Sequence, residues 1–253
     1  MSVSPATTMG LFDIFSKKKS EAPRLNERDL ARYERLVGSK LSQNLDRQEA
    51  IETLSRMGTA GAARVLLKRF DWMLDPSITD QEEKEQCVRG IVAAGELALE
   101  PVRAYCRKAE SLTWPLRVLK SIAPSESYAE ELLALLDQYD TEYVRNVEPK
   151  VQLISELGQF KTDDVRIALE PFLQDASEPV RFATVTSVFE LGFEASTPAL
   201  VAALSGEESQ RIKNRIAQRL SELGWKVPAE LSGVCKESLP SGYHLQGDRI
   251  VVG

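Results

Sequence analysis

The chain has 253 residues, 43% of them apolar and 28% charged, with a formal net charge of −6. That balance describes a globular chain able to build a core, since a disordered one carries fewer apolar residues and more net charge for its length. No apolar run approaches the ~18 residues that a membrane helix needs, and an acidic balance argues against a general nucleic-acid binder.

Residues 1–25 are read as a flexible N-terminal segment. Residues 1–44 hold eight basic and five acidic residues, and Leu11, Phe12, Ile14 and Phe15 are followed by Lys17, Lys18 and Lys19. An apolar-then-basic element at residues 11–19 can make weak contact with an anionic membrane or dock on a partner. The alternative is a start that the fold does not use, with translation beginning at Met9. The first twenty residues lack the apolar centre of a signal peptide, from which a cytoplasmic chain is expected. Cys87, Cys106 and Cys235, an odd count at irregular spacing, fit reduced thiols there.

From Asn26 to Leu45 the pattern turns helical through Leu30, Tyr33, Leu36, Val37 and Leu41, as a helix that caps the middle region. A repeat runs through that region. Gly58, Gly95, Ala123, Gly158, Gly192 and Gly224 serve as anchors, with spacings of 37, 28, 35, 34 and 32 residues. The positions one, four and seven before each anchor, eighteen in all, are every one apolar. Steps of three hold side chains near one helical face, so each unit opens with an amphipathic helix. A glycine just past its end suits a left-handed cap. Second helices come next, marked by Val65, Leu66 and Phe70; Val102, Tyr105 and Cys106; Leu132, Leu133 and Leu136; Val165, Ala168, Leu169 and Phe172; and Leu200 and Leu204. Two helices per ~34 residues bury their faces only by stacking on neighbours. The expected fold is an all-α solenoid of about six helix pairs over residues 26–225.

Several interruptions stand out. In residues 71–80, Pro76 halts a helix, and Thr79 or Asp80 followed by Glu82 and Glu83 reads as an N-cap with acids in the first turn. Trp72, Met73 and Ile78 are apolar for a loop: they either anchor a partner or fold back over the first inter-repeat joint. Pro115 suits a first helical position, and Trp114 reads as a packing residue. The tail, residues 226–253, is poor in helical pattern. Tyr243-His244-Leu245, a Gln-Gly-Asp turn and Arg249 to Val252 read as a short β-hairpin capping the open end of the stack.

The segment Leu169 to Asp175, then Pro179-Val180-Arg181 and Leu191-Gly192, resembles HEAT repeats, in particular the short bacterial type called PBS-lyase HEAT-like. The resemblance covers about 180 residues. It implies that Asp175 and Arg181 belong to a ladder of acidic and basic rungs along the stack. The position eleven before each anchor is basic at Arg47, Lys84, Arg181 and Lys213, but not at Leu112 or Val147. It also implies that the second helices line a concave surface and that the protein is a scaffold. Enzymes with such stacks, DNA glycosylases and bilin lyase subunits, form the alternative class.

Catalytic constellations are not legible. The one histidine, His244, sits in the tail, the glycines cap helices rather than forming a phosphate loop, and the carboxylates fall in runs such as Glu82-Glu83 and Glu130-Glu131 that read as solvated faces. No cofactor or metal is expected. Charge is unevenly spread: residues 109–174 hold 6 basic and 12 acidic residues. Arg64 and Lys68 on one second helix, and Arg103 and Arg107 on the next, each recur at i, i+4. Adjacent helices would gather these four into a patch for an acidic protein segment, with Trp72 at its edge; solvated or paired charges are the alternative. Arg211, Arg215 and Arg219 make a further stripe that amphipathicity explains. The expectation is a cytoplasmic, non-catalytic adaptor for another protein, with membrane contact by residues 11–19 as a further alternative.

Overall fold

A computed structural model describes residues 27–124 and 127–253. The apolar-then-basic element at 11–19 lies outside the described residues. Among those described, thirteen α-helices precede one β-hairpin. The capping helix is α1 (Glu27–Val37). Helix pairs come after it: α2 (Asn44–Met57) with α3 (Ala60–Leu67), α4 (Ser77–Ala93) with α5 (Leu99–Cys106), and α6 (Thr113–Ile122) with α7 (Tyr128–Leu136). Then come α8 (Glu148–Leu157) with α9 (Asp163–Leu169), and α10 (Glu178–Leu191) with α11 (Thr197–Gly206). The chain ends with α12 (Gln210–Leu223), α13 (Ser232–Ser238) and the strands β1 (Tyr243–Gln246) and β2 (Arg249–Val252).

Helices pack in succession within two layers. In one, α2, α4 and α6 follow each other, as do α8, α10 and α12; in the other, α1, α3 and α5 are neighbours, and α7 packs on α9. Lys120 reaches Glu156 at 2.6 Å and the Gln152 side chain accepts from the Leu112 N–H at 2.5 Å, which ties α6 to α8. The architecture is an all-α, solenoid-like stack of about six helix pairs. The apolar steps of three form its core. Of the eighteen positions, Val88, Ile122 and Val151 are half-buried, Leu223 is exposed, and the other fourteen are buried.

Local chemistry sets the joints. Thr59 and Thr162 accept from the N–H groups of Ala62 and Val165, capping α3 and α9 just after their anchors. Gly58, Gly95, Gly192 and Gly224 take the left-handed conformation expected of them. Gly158 does not: its φ is −55°, and it is there for proximity. A Cβ at Gly158 would sit 2.9 Å from Ser187 Cβ on α10, and one at Gly90 would sit 2.9 Å from the Ser55 backbone on α2. Glycine lets these first-layer helices approach backbone to backbone.

The structure corrects several expectations. The capping helix stops at Val37, and Leu41 is exposed in the turn after it rather than on a helical face. Pro115 is the third residue of α6, not the first. The tail contains a helix, α13, which buries Cys235 and packs on α11. The hairpin forms as expected, Tyr243 opposite Val252 and Gln246 opposite Arg249. It covers α12 through Ile250, while Trp225 packs on Phe189 at 5.6 Å.

The acidic–basic ladder forms only in part and with different partners: Lys84 pairs with Asp80 of its own helix, and among the described residues Lys213 makes no ion pair. Arg181 pairs with Glu207 at 2.8 Å, and Asp175 pairs instead with Lys150 at 2.6 Å. Lys150 is fully buried on α8 and stands three residues after Val147, so that repeat slips its rung along the helix rather than losing it. Nor is Glu83 a first-turn solvent acid. It is buried, accepts from Arg47 Nε at 2.9 Å and from Arg69 Nε at 2.6 Å, and bridges α2 to the turn after α3. Asp80 takes Arg69 Nη2 at 2.7 Å and Lys84 Nζ at 2.9 Å, so α4 starts at Ser77 without a side-chain cap while its acids point inward.

Replacing Glu83 by Gln leaves Arg47 and Arg69 buried without their shared carboxylate. Glu83→Gln should lose about 3–5 kcal/mol of unfolding free energy in urea; a loss within ~0.5 kcal/mol of zero would show that the joint does not depend on it. Asp80 adds a pH signature. Burial raises a carboxyl's pKa, but hydrogen bonds from Lys84, Arg69 and the Leu74 N–H outweigh it and hold Asp80 below its ordinary range. A lowered folded pKa means fewer protons bound folded than unfolded. Its stabilisation is therefore complete above the unfolded value, roughly pH 4, and lost as pH falls through the folded one. Asp80→Asn should flatten the wild type's loss of stability below about pH 4 in urea titrations.

Candidate functional site

Clefts open on the layer of second helices, and one of about 1060 Å³ runs between α3 and α5. Its floor is Leu67, Phe70, Pro101, Ala104 and Tyr105, and Trp72 and Met73 close one end. Arg64, Lys68 and Lys108 project into it together with Glu34, Asp71, Glu110 and Glu148. Asp71 is already engaged: it accepts from the Tyr105 hydroxyl at 2.7 Å and lies 4.0 Å from Lys68. Burial, then the Asp71 carboxylate, push the Tyr105 phenol up and keep it neutral.

Of the five residues singled out by sequence, the structure brings Arg64, Lys68 and Trp72 to this cleft and leaves Arg103 and Arg107 out of its lining. Arg103 turns toward α7, where Glu131 grips it through a two-pronged ion pair, with Nε 2.8 Å from Oε2. The Glu131 hydrogen bond, against the cost of burial, raises the Arg103 pKa. Glu131 is therefore not on a solvated face. Arg107 lies 4.0 Å from Glu100. The patch of four cations is thus split, and a cation that the i, i+4 pairs do not include, Lys108, joins Arg64 and Lys68. Its signal was present: Lys108 follows Ala104 by four and Tyr105 by three, the spacing of one helical face.

Trp72 takes the second of its two expected roles. Its Nε1–H donates to the Val37 carbonyl at 3.2 Å, and the Arg69 guanidinium stacks on its ring at 3.8 Å, so it folds back over the first joint. Half-buried, it still presents an edge to the cleft. Met73 and Ile78 are exposed, by 77% and 70%, and do not cover that joint. Trp114 stacks on Phe70 beneath the cleft at 6.0 Å. The arginine stripe of α12 serves the stack: Arg211 lies over Phe182 at 4.0 Å and pairs with Glu178, while Arg219 pairs with Glu222.

The second cleft, about 640 Å³, lies between α7, α9 and the connection from α7 to α8. Leu133, Leu136, Ala168, Pro171 and Phe172 line it, with Asp137, Asp140 and Asp164 as its charged residues. All three aspartates are exposed. Lys150 shapes this cleft from below by donating to the carbonyls of Asp140 and Glu142 at 2.8 and 3.2 Å.

Among the described residues, no three His, Cys, Asp or Glu side chains converge to hold a metal ion. His244 is exposed on β1. No helix of the described residues is long and apolar enough to cross a membrane. Cys87 and Cys106 face one core from α4 and α5, fully buried. Burial pushes both thiols up, Cys106 to about 12, and raises Cys235 as well. A nucleophilic cysteine needs thiolate character and access; these have neither. No protein-family model matches this chain, and no curated protein matches it either.

The thiols give a direct check. Ellman's reagent should leave Cys87 and Cys106 unmodified in the folded chain at mildly alkaline pH and titrate all three cysteines in denaturant. Rapid modification of either in the folded state would contradict the buried placement.

Proposed function

We propose that the chain is a non-catalytic HEAT-type adaptor that binds a segment of another protein along the face of its second helices. The observation that carries this reading is the cleft between α3 and α5. It sets an apolar and aromatic floor of Leu67, Phe70 and Tyr105 beneath solvent-accessible cations, a construction that buries a side chain and orients it by charge. The spaced apolar register and the ladder of acidic and basic rungs support the HEAT-type assignment.

The partner segment carries a carboxylate for Arg64 and Lys68 beside an apolar or aromatic side chain for the floor. The cleft holds four carboxylates, Glu34, Asp71, Glu110 and Glu148, beside its three cations, so it suits a single carboxylate at Arg64 and Lys68 and not the continuous charge of a phosphate backbone. The buried thiols and the dispersed carboxylates offer no activated nucleophile or paired general acid and base, which favours binding over catalysis.

Affinity capture from the native host at low salt tests the reading. Arg64→Glu/Lys68→Glu should weaken the captured partner by roughly tenfold or more with helical content unchanged, because both side chains are solvent-accessible rim charges. Arg103→Glu/Arg107→Glu should retain it. Retention by the first variant would remove this cleft as the binding surface, and a chain that captures nothing under any condition would remove the adaptor reading.

A further inference from the structure

We propose that the cleft between α7 and α9 is a second docking site on the same face, taking a lysine- or arginine-rich protein segment that also carries apolar residues. The proposal rests on the reading of the second-helix face as a binding surface, and it adds a partner chemistry opposite in sign to that of the first cleft.

The lining is charged in one sign only. Asp137, Asp140 and Asp164 are its charged residues; no Lys or Arg lines it, in contrast to the α3–α5 cleft. Arg145 and Lys161 nearby are exposed but do not line the cleft, and two further cations on this part of the stack are already committed. Arg166 is held between Asp163 at 2.7 Å and Glu170 at 2.8 Å, and Lys150 is buried on Asp175. Among the described residues, Asp137 and Asp164 make no ion pair, and the Asp140 carboxylate accepts the Glu142 N–H of its own loop at 3.0 Å. Residues 109–174 as a whole hold twelve acidic residues against six basic, so the surrounding field reinforces the cleft instead of cancelling it.

Beneath the aspartates lie Leu133, Leu136 and Phe172. Lysine and arginine side chains match that combination, laying methylene stems on apolar surface while the charged head stays at the polar rim. The aspartates do not converge as metal ligands, so they suit several cations spread along a chain better than one ion. The connection that forms the rim is also exceptional. From Asp137 to Val147 it is the longest link between a second helix and the next first helix, whereas residues 175–177 and 207–209 suffice further along. Long ordered connections held open in this way are common at binding sites. Lys150 holds this one by two of its carbonyls, and the Thr141 carbonyl takes the Ala176 N–H at 2.8 Å.

The test uses the full chain and fluorescence anisotropy with two labelled nonapeptides, one alternating lysine and leucine, the other alternating glutamate and leucine. The lysine peptide should bind the wild type and lose roughly tenfold in affinity in Asp137→Asn/Asp164→Asn, whose exposed substitutions leave the core untouched. As a control, Asp46→Asn/Glu49→Gln removes the same charge from the exposed side of α2 and should leave binding unchanged. The glutamate peptide should not respond to the α7–α9 variant. Equal loss in the control would reduce the effect to net charge and overturn the proposal, as would undiminished binding in the aspartate variant or no binding to the wild type. Arg64→Glu/Lys68→Glu separates the two readings: if it still loses its captured partner while the lysine peptide fails to bind, the adaptor stands and only this second site falls.

Discussion

One interaction recurs through the stack and fixes how its repeats meet. A cation in the first turn of a first-layer helix reaches back to carbonyls of the connection before it and forward to a carboxylate from the next repeat. Arg47 binds the Ser42 carbonyl and Glu83, Lys150 binds the carbonyls of Asp140 and Glu142 and Asp175, and Arg181 binds the carbonyls of Asp175 and Ala176 and Glu207. Each pair is buried or nearly so, where desolvation cancels much of the Coulombic gain. Stability alone would be served as well by hydrocarbon. What the rungs add is register, because a repeat slipped by one turn would bury a lysine or arginine without its acid, at a cost of several kcal/mol.

That device has a consequence for the face of second helices. Rungs in the first layer and its connections hold the stack together, so the outward side chains of the second layer need not do so. Arg64, Asp137 and Asp164 are exposed for this reason, and Lys68 is half-exposed beside them. Lys150 connects the two roles. Its ammonium completes a rung with Asp175 and at the same time pins the long connection that walls the α7–α9 cleft. The scaffold and the cleft share one side chain.

Most of the fold was legible because burial in a stacked helix pair is periodic, and steps of three in Ile51-Leu54-Met57 or Val185-Val188-Leu191 record it directly. Features set by single polar partners were harder to read. Glu83 beside Glu82 looks like solvated charge, since nothing local says that Arg47, thirty-six residues earlier, and Arg69 come to meet it. Lys150 escapes the pattern because its rung slips three residues from the register. Helix α13 is seven residues with Gly233 inside, too short for a period to emerge. The cation patch failed for a rotational reason: Arg103 turns to Glu131 on α7 and Arg107 to Glu100 of its own helix, about 100° around from Ala104 and Lys108. Spacing says which side chains travel together; only packing says what they meet.

On the proposed adaptor reading, the two clefts would divide the work of recognition between surface chemistry and field. Their charges reach solvent, so each ion pair with a partner is worth little by itself and weakens with salt. On that reading affinity would come from the floors, Phe70 and Tyr105 in one cleft and Leu133 and Phe172 in the other, which are apolar surfaces for a partner's side chains. The charges would then decide which segment is admitted and in which orientation. The aspartate-only cleft would reject an acidic segment, whereas the mixed cleft offers a carboxylate a partner only at Arg64, Lys68 and Lys108. A partner that spans both must change sign along its length, and that change alone would fix the direction in which it lies across α3 to α9.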